Sequence, residues 1–185
     1  MVPAPPALAR TELTLPDEAA TARLGARLAA FVQNGRATIE RAGFTLALSG
    51  DLGAGKTSLV RAMLRALGET GPVKSPTYTL LEPYVVSSLD FHHFDFYRVK
   101  DPSEFDAAGF RELFGPRRVC VIEWPERAGG RLPTPDLSIA LRVEGLEDQQ
   151  DRAQAQLAAR VATMVAHTEL GARCLQTIQP QQREL

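Results

Sequence analysis

Apolar residues along the chain fall into short blocks whose period changes from one block to the next. Behind Pro16 and Asp17, Ala20, Leu24, Leu28, Phe31 and Val32 recur three or four positions apart, which predicts an amphipathic helix closing near Asn34-Gly35. Phe44 to Ser49 is a continuous apolar run of strand length, followed by a glycine-rich turn. Leu59, Met63, Leu64 and Leu67 then restore helical spacing over Lys56 to Leu67, and Gly68 supplies a stop. The order is strand, loop, helix.

Gly71 to Pro76 breaks the pattern. Thr77 to Val86 and Leu89 to Val99, rich in Tyr, Val and Phe, predict two strands of a hairpin that turns at Ser87-Ser88. Asp101-Pro102-Ser103-Glu104 combines a helix cap, a first-turn proline and a reciprocal glutamate, so a short helix should start there and stop about Gly109. Val119 to Ile122 is a fully apolar strand, whereas Leu137, Ile139, Leu141 and Val143 alternate with polar residues and suit a strand with one wet face. In the next block Ala153, Ala155, Leu157 and Ala159 alternate, while Leu157, Val161, Met164, Val165 and Thr168 keep helical spacing. The expectation is a strand that hands over to a C-terminal helix near Arg160. Residues 1–10, rich in Pro and Ala, and the polar tail 176–185, interrupted by Pro180, are expected to be flexible, which leaves a single α/β domain over 11–175.

Composition narrows the classes of function. A chain of 185 residues allows one core and hardly two, and 21 basic against 22 acidic side chains leave a net charge of −1. That balance argues against the basic footprint of electrostatic nucleic-acid binding, so any RNA contact is expected to be local or made through a partner. The two cysteines, Cys120 and Cys174, form no disulfide framework, and Cys120 sits in an apolar run as a buried thiol would. The start lacks a basic segment followed by an uninterrupted apolar one, and no run is long enough to span a bilayer, so a cytoplasmic location is expected.

The chemistry centres on Gly50-Asp51-Leu52-Gly53-Ala54-Gly55-Lys56-Thr57, which fits G-x-x-x-x-G-K-[ST] between a strand and a helix start. Glycines let backbone N–H groups converge on phosphate oxygens, and the helix N-terminus adds partial positive charge. Lys56 can bridge the β- and γ-phosphates and is expected to lie outside the core, while Thr57 can offer its hydroxyl oxygen to Mg²⁺. The motif names neither nucleotide nor reaction. No Asn-Lys-x-Asp run for guanine is present, and Asp106-Ala-Ala-Gly109 imitates a GTPase switch only within a capped helix.

Glu123 follows an apolar strand at the edge where ligands gather in α/β sheets, well placed for Mg²⁺ or for an attacking water. Asp95 interrupts the aromatic strand His92 to Arg98 and needs a partner or an ion; a pairing with Arg98 or hydrogen bonding at the surface is the plain alternative. His92 and His93 lack any complementary His/Cys cluster at zinc spacing and read as structural. Trp124 fits either a core position or a platform for a partner. A small-molecule P-loop kinase and a nucleotide-gated interaction module remain alternatives to a hydrolase, although no basic lid for a second substrate is evident.

Four ordered motifs, Gly50 to Thr57, Val73-Lys74-Ser75-Pro76-Thr77-Tyr78, His93 to Arg98 and Ile122-Glu123-Trp124-Pro125, together resemble the bacterial TsaE (YjeE) family over about Leu13 to Ala166. The resemblance implies a P-loop NTPase-like α/β domain with a mixed central sheet, antiparallel strands included, flanked by helices. It implies binding of ATP and Mg²⁺, slow hydrolysis, and work with TsaB and TsaD, which place threonylcarbamoyl on adenosine in tRNAs reading ANN codons. tRNA would be met only through that complex. By the same resemblance Lys56 and Thr57 hold phosphate and metal, Asp95 and Glu123 serve metal and hydrolysis, and Trp124 lies near the site. Ser75 and Thr77 would belong to a switch-like loop. Asp17 would lie near the nucleotide, as would Arg152, which is reached across the divergent stretch Leu146 to Asp151.

Overall fold

The computed structural model describes residues 7–144 and 158–178. In chain order these form β1 (Ala9–Leu15), α1 (Glu18–Asn34), α2 (Arg36–Ala42), β2 (Phe44–Ser49), α3 (Lys56–Ala66), β3 (Leu81–Val86) and β4 (Leu89–Asp95). Then follow α4 (Ser103–Ala107), β5 (Arg118–Glu123), β6 (Leu137–Val143), β7 (Arg160–Ala166) and α5 (Glu169–Ile178). The strands make one seven-stranded sheet in the order β1-β7-β6-β2-β5-β4-β3. β6, β2, β5 and β4 run parallel, and β7, β1 and β3 add to its two sides in antiparallel fashion. No helix among the described residues is long and apolar enough to cross a membrane.

Residue alternation along the central strands explains why both faces are covered. Val119 and Val121 of β5 point into the larger core with Leu24, Leu28, Leu59 and Leu64, whereas Cys120 and Ile122 point to an aromatic cluster of Phe94, Phe96, Phe105 and Phe110. A parallel strand buried on both sides needs such a continuous apolar run. On the first face α1 packs on α3 so closely that a Cβ on Gly25 would stand 2.6 Å from Ala62 Cβ. Asp17 caps α1, its carboxylate accepting the Ala20 N–H at 2.6 Å.

Five segments differ from the sequence pattern, one of them 176–178, placed by composition in a flexible tail, which completes α5 and ends in the fully buried Ile178. Ala9 and Arg10, placed by composition in a flexible start, are part of β1, which pairs along its whole length with β7. The segment from Arg160 is strand and not helix, and the helix begins at Glu169; because β7 lies between β1 and β6, Ala162, Met164 and Ala166 are buried as a strand requires. The positions expected to form the preceding strand fall mostly in 145–157, outside the described residues. Thr77 to Leu80 is a turn closed by the Leu80 N–H on the Pro76 carbonyl at 2.7 Å, so β3 starts at Leu81. β4 ends at Asp95 because its carboxylate accepts the Tyr97 N–H at 2.9 Å and turns the chain before Val99. The hairpin turn falls at Ser87-Ser88, with φ of 51° and 61°.

Gly171 of α5 meets the loop that feeds β6: a Cβ there would stand 1.9 Å from the Asp136 carbonyl oxygen. Gly171→Ala should therefore destabilise the domain by about 2–3 kcal/mol through overpacking. A thermal melt should show a Tm lowered by roughly 5–10 °C, and an unchanged Tm would mean that α5 can leave β6 without cost.

Candidate active site

The P-loop joins the end of β2 to the start of α3, and two of its glycines are dictated by their surroundings. Gly50 has φ +127°, and a Cβ on it would come within 2.2 Å of the Leu141 carbonyl oxygen on β6. Gly55, at φ +104°, faces the Arg160 side chain, whose Nε would be 3.2 Å from such a Cβ. Asp51, Leu52 and Gly53 form the exposed tip and Ala54 is buried beneath it. Among the described residues no side chain caps the start of α3 or accepts from its first N–H groups.

Lys56 is buried, 4% exposed, contrary to its expected place outside the core. Its Nζ donates to the carbonyls of Gly50 at 2.6 Å and Asp51 at 2.9 Å, and stands 3.8 Å from the centre of the Trp124 ring. Burial lowers the lysine's pKa, while Glu123, Glu126, Asp95 and Asp51 act in the opposite sense. Trp124 holds its position through a left-handed backbone (φ 59°), with its N–H on the Leu48 carbonyl at 3.1 Å and Tyr97 5.0 Å away. It is half-buried, serving as packing on one side and as a wall beside Lys56 on the other.

Two carboxylates sit side by side at the ends of adjacent parallel strands, since Asp95 of β4 is in register with Glu123 of β5. Thr57 Oγ1 lies 2.9 and 3.0 Å from the two oxygens of Glu123, and His93 Nε2 lies 2.8 Å from Glu123 Oε1. Asp95 Oδ2 accepts the hydroxyls of Ser75 and of Thr77, the latter at 2.8 Å. Its partners are thus the Ser75–Thr77 loop and the Tyr97 N–H, and not Arg98, which stacks on the exposed Tyr78 ring at 4.4 Å. Hydroxyl and carboxylate oxygens of this kind are the donors a hard divalent cation takes, so the residues present fit magnesium.

The structure therefore brings Gly50 to Thr57, Ser75, Thr77, Asp95, Glu123 and Trp124 to one edge of the sheet. Asp17 is exposed and acts as the cap of α1; Glu18 and Thr21 behind it share a groove with Ser58 and Arg61 of α3. Arg152 lies outside the described residues. His92 points to the other face and contacts the Leu113 carbonyl, and Asp106 pairs with Arg131 at 2.8 Å on the surface. Sequence reasoning missed two residues. Arg160, at the start of β7, donates from Nε to the Ala54 carbonyl at 3.1 Å, and His93 reaches Glu123. Only the alternation His93, Asp95 on one face of a strand could have hinted at the second, and nothing local marks the first.

A G-x-x-x-x-G-K-[ST] loop between a central parallel strand and a helix start makes this a P-loop α/β domain. The family model for threonylcarbamoyl adenosine biosynthesis protein TsaE matches residues 15–155, and the chain belongs to the TsaE family. It is 39% identical over 157 residues to the tRNA threonylcarbamoyladenosine biosynthesis protein TsaE of Haemophilus influenzae, covering 85% of this chain and 90% of that one. The TsaE protein of Bacillus subtilis is 36% identical over 114 residues, 62% of this chain and 71% of its own length. Among solved structures, YdiB of Bacillus subtilis superposes with a TM-score of 0.65 over 92% of this chain and 94% of its own, a likeness of fold at 23% identity.

Proposed function

We propose that the protein is a magnesium-dependent ATPase that supports threonylcarbamoyladenosine formation in tRNA by driving a conformational or reset cycle of a TsaB–TsaD complex. The observation that carries this reading is the hydrogen bond between Thr57, the residue after the P-loop lysine, and both oxygens of the buried Glu123. A residue placed to offer a hydroxyl to a cation and a carboxylate placed beside it are what hydrolysis of a nucleotide phosphate needs.

Each residue has a definite task in this reading. The N–H groups at the start of α3 and along the P-loop bind phosphate oxygens. Lys56 exchanges the Gly50 and Asp51 carbonyls for phosphate, which keeps its charge buried but satisfied. Magnesium, when bound, neutralises phosphate charge as it builds on the leaving oxygens, and Thr57, Asp95 and Glu123 would hold it. Glu123 orients the attacking water and takes its proton at a carboxylate oxygen. Asp95 holds the Ser75–Thr77 loop through two hydroxyls, so a change at Asp95 is passed to a surface segment. That loop is the element through which nucleotide state biases docking on a partner.

The charge of −1 supports an indirect route to tRNA, because phosphates are gripped mainly by Lys and Arg. Reconstitution tests the whole reading. With TsaB, TsaD, tRNA and threonylcarbamoyl-adenylate, repeated turnover of tRNA modification should require this chain and ATP–Mg. Turnover independent of the chain, or tight tRNA binding by the chain alone, would overturn the reading. Phosphate transfer to a small acceptor in place of release would make it a kinase, and full support by a non-hydrolysable ATP analogue would make it a nucleotide-gated module.

A further inference from the structure

We propose that His93 is a positioning residue that pins Oε1 of Glu123, so that Oε2 is the oxygen that acts on the attacking water. This rests on the reading of Glu123 as the carboxylate that serves hydrolysis, and it assigns a task to a histidine that sequence spacing alone marks as structural.

The position of His93 calls for a reason. Alternation along β4 puts Phe91, His93 and Asp95 on one face, between the core that takes Phe91 and the edge that holds Asp95. The imidazole is 0% exposed. An apolar side chain would fill such a space without desolvating two ring nitrogens, so burial of this ring has to be offset by the bond it makes. That bond is from Nε2 to Glu123 Oε1 at 2.8 Å, and Nδ1 is buried with no hydrogen-bond partner among the described residues. A carboxylate only accepts, so the hydrogen of this bond sits on Nε2. Among the described residues Glu123 is the one hydrogen-bond partner of the ring.

Thr57 cannot do this work. Its single hydroxyl hydrogen is shared between two Glu123 oxygens at 2.9 and 3.0 Å and selects neither. His93 addresses Oε1 alone, from a strand fixed in register with β5, His93 opposite Val121 and Asp95 opposite Glu123. A catalytic carboxylate needs this kind of support from behind, because a loosely held group is in the productive orientation only part of the time.

The test compares His93→Leu, which removes the donor, with His93→Gln, whose amide nitrogen can reach the place of Nε2. In the full chain with ATP–Mg, His93→Leu should lower kcat more than about tenfold while ATP affinity stays within about twofold, and His93→Gln should return kcat to within about threefold of the parent. Equal loss in both variants, an unchanged kcat in His93→Leu, or loss of affinity in step with kcat would each overturn the proposal. Nitrogen-15 spectra of the histidine rings in the nucleotide-free parent give a readout that needs neither turnover nor the Leu variant. They should show His93 with its proton on Nε2, and Glu123→Ala should abolish that fixed tautomer. An Nε2 without a proton, or a spectrum indifferent to Glu123→Ala, would also sink it. A parent without ATPase activity removes the hydrolysis reading and this role together, whereas an active parent matched by an equally active His93→Leu removes only the role.

Discussion

Lys56→Ala is expected to weaken ATP–magnesium binding by about thirty- to hundredfold, the equivalent of ~2–3 kcal/mol for lost charge-assisted hydrogen bonds to phosphate. In the nucleotide-free protein the ammonium already donates to two P-loop carbonyls, those of Gly50 and Asp51, and lies over Trp124. Its replacement therefore does two things. It takes the positive charge away from the place where phosphate oxygens would converge, and it removes the tie that draws the tip of the loop toward the start of α3. Because Lys56 is buried, the second effect should show as a modest loss of stability, of the order of ~1 kcal/mol for each neutral-acceptor bond lost. The domain should stay folded, since among the described residues the Lys56 side chain bonds only within its own loop and meets Trp124 at the sheet edge. Calorimetric titration with ATP–Mg checks the first effect and a thermal melt the second. Parent-like affinity in the variant would sink the assignment of the loop as the phosphate site.

The parts of this arrangement that were legible in the sequence are those whose logic is local. The P-loop spacing, the helix after it and the apolar strands β2 and β5 each carry their own pattern, and β2 falls where its apolar run places it. Elements stabilised by partners far along the chain were not legible. β1 reads ARTELTL, with half-buried and exposed residues in alternation and Leu15 alone fully buried, a weak apolar signal, and it becomes a strand because β7, some 150 residues later, offers it an edge. α2 has seven residues and one buried side chain, Ile39, too few turns for a periodic stripe. The strand period of β7 was hidden because an apolar residue is tolerated on both faces of a strand between two neighbours, which also satisfies helical spacing.

The same division runs through the site. Glu123 and Asp95 were marked by local contrast, an acid at the end of an apolar strand and an acid among aromatics, because a desolvated carboxylate without a task is costly. Their partners were not. Ser75 and Thr77 are joined to Asp95 across 20 and 18 residues, and His93 to Glu123 across 30, so only the folded register shows which hydroxyl or ring meets which oxygen. Arg160 reaches Ala54 across 106 residues. Such contacts are set by sheet order, and sheet order is a global property.

Glu123→Gln is expected to lower ATP turnover more than tenfold, ~1.4 kcal/mol or more of transition-state free energy, and Asp95→Asn to do the same. Both replacements keep the shape of the side chain and remove its charge. Glu123 is 2% exposed and meets Thr57 and His93, and a glutamine can still accept at one oxygen while Thr57 turns its hydroxyl to accept from the new amide, so the fold should persist. What the amide cannot do is take a proton from water or balance the charge of a cation. Asp95 differs in how its loss should spread. Its Oδ2 anchors Ser75 and Thr77 and its Oδ1 the Tyr97 N–H, and an asparagine that keeps the carbonyl toward Tyr97 would turn its amide toward two hydroxyls. Those hydroxyls can reverse and accept, but both present bonds are to a charged oxygen and their replacements are neutral and weaker. Asp95→Asn should therefore loosen the Ser75–Thr77 loop as well as slow hydrolysis, seen as faster proteolytic cleavage or hydrogen exchange there, while Glu123→Gln should leave the loop as it is. Turnover by phosphate release, with exchange in residues 75–80 followed in parallel, separates the two: unchanged turnover returns the residue in question to a structural role, and equal loop protection in both variants would mean that Asp95 does not connect the nucleotide site to the surface.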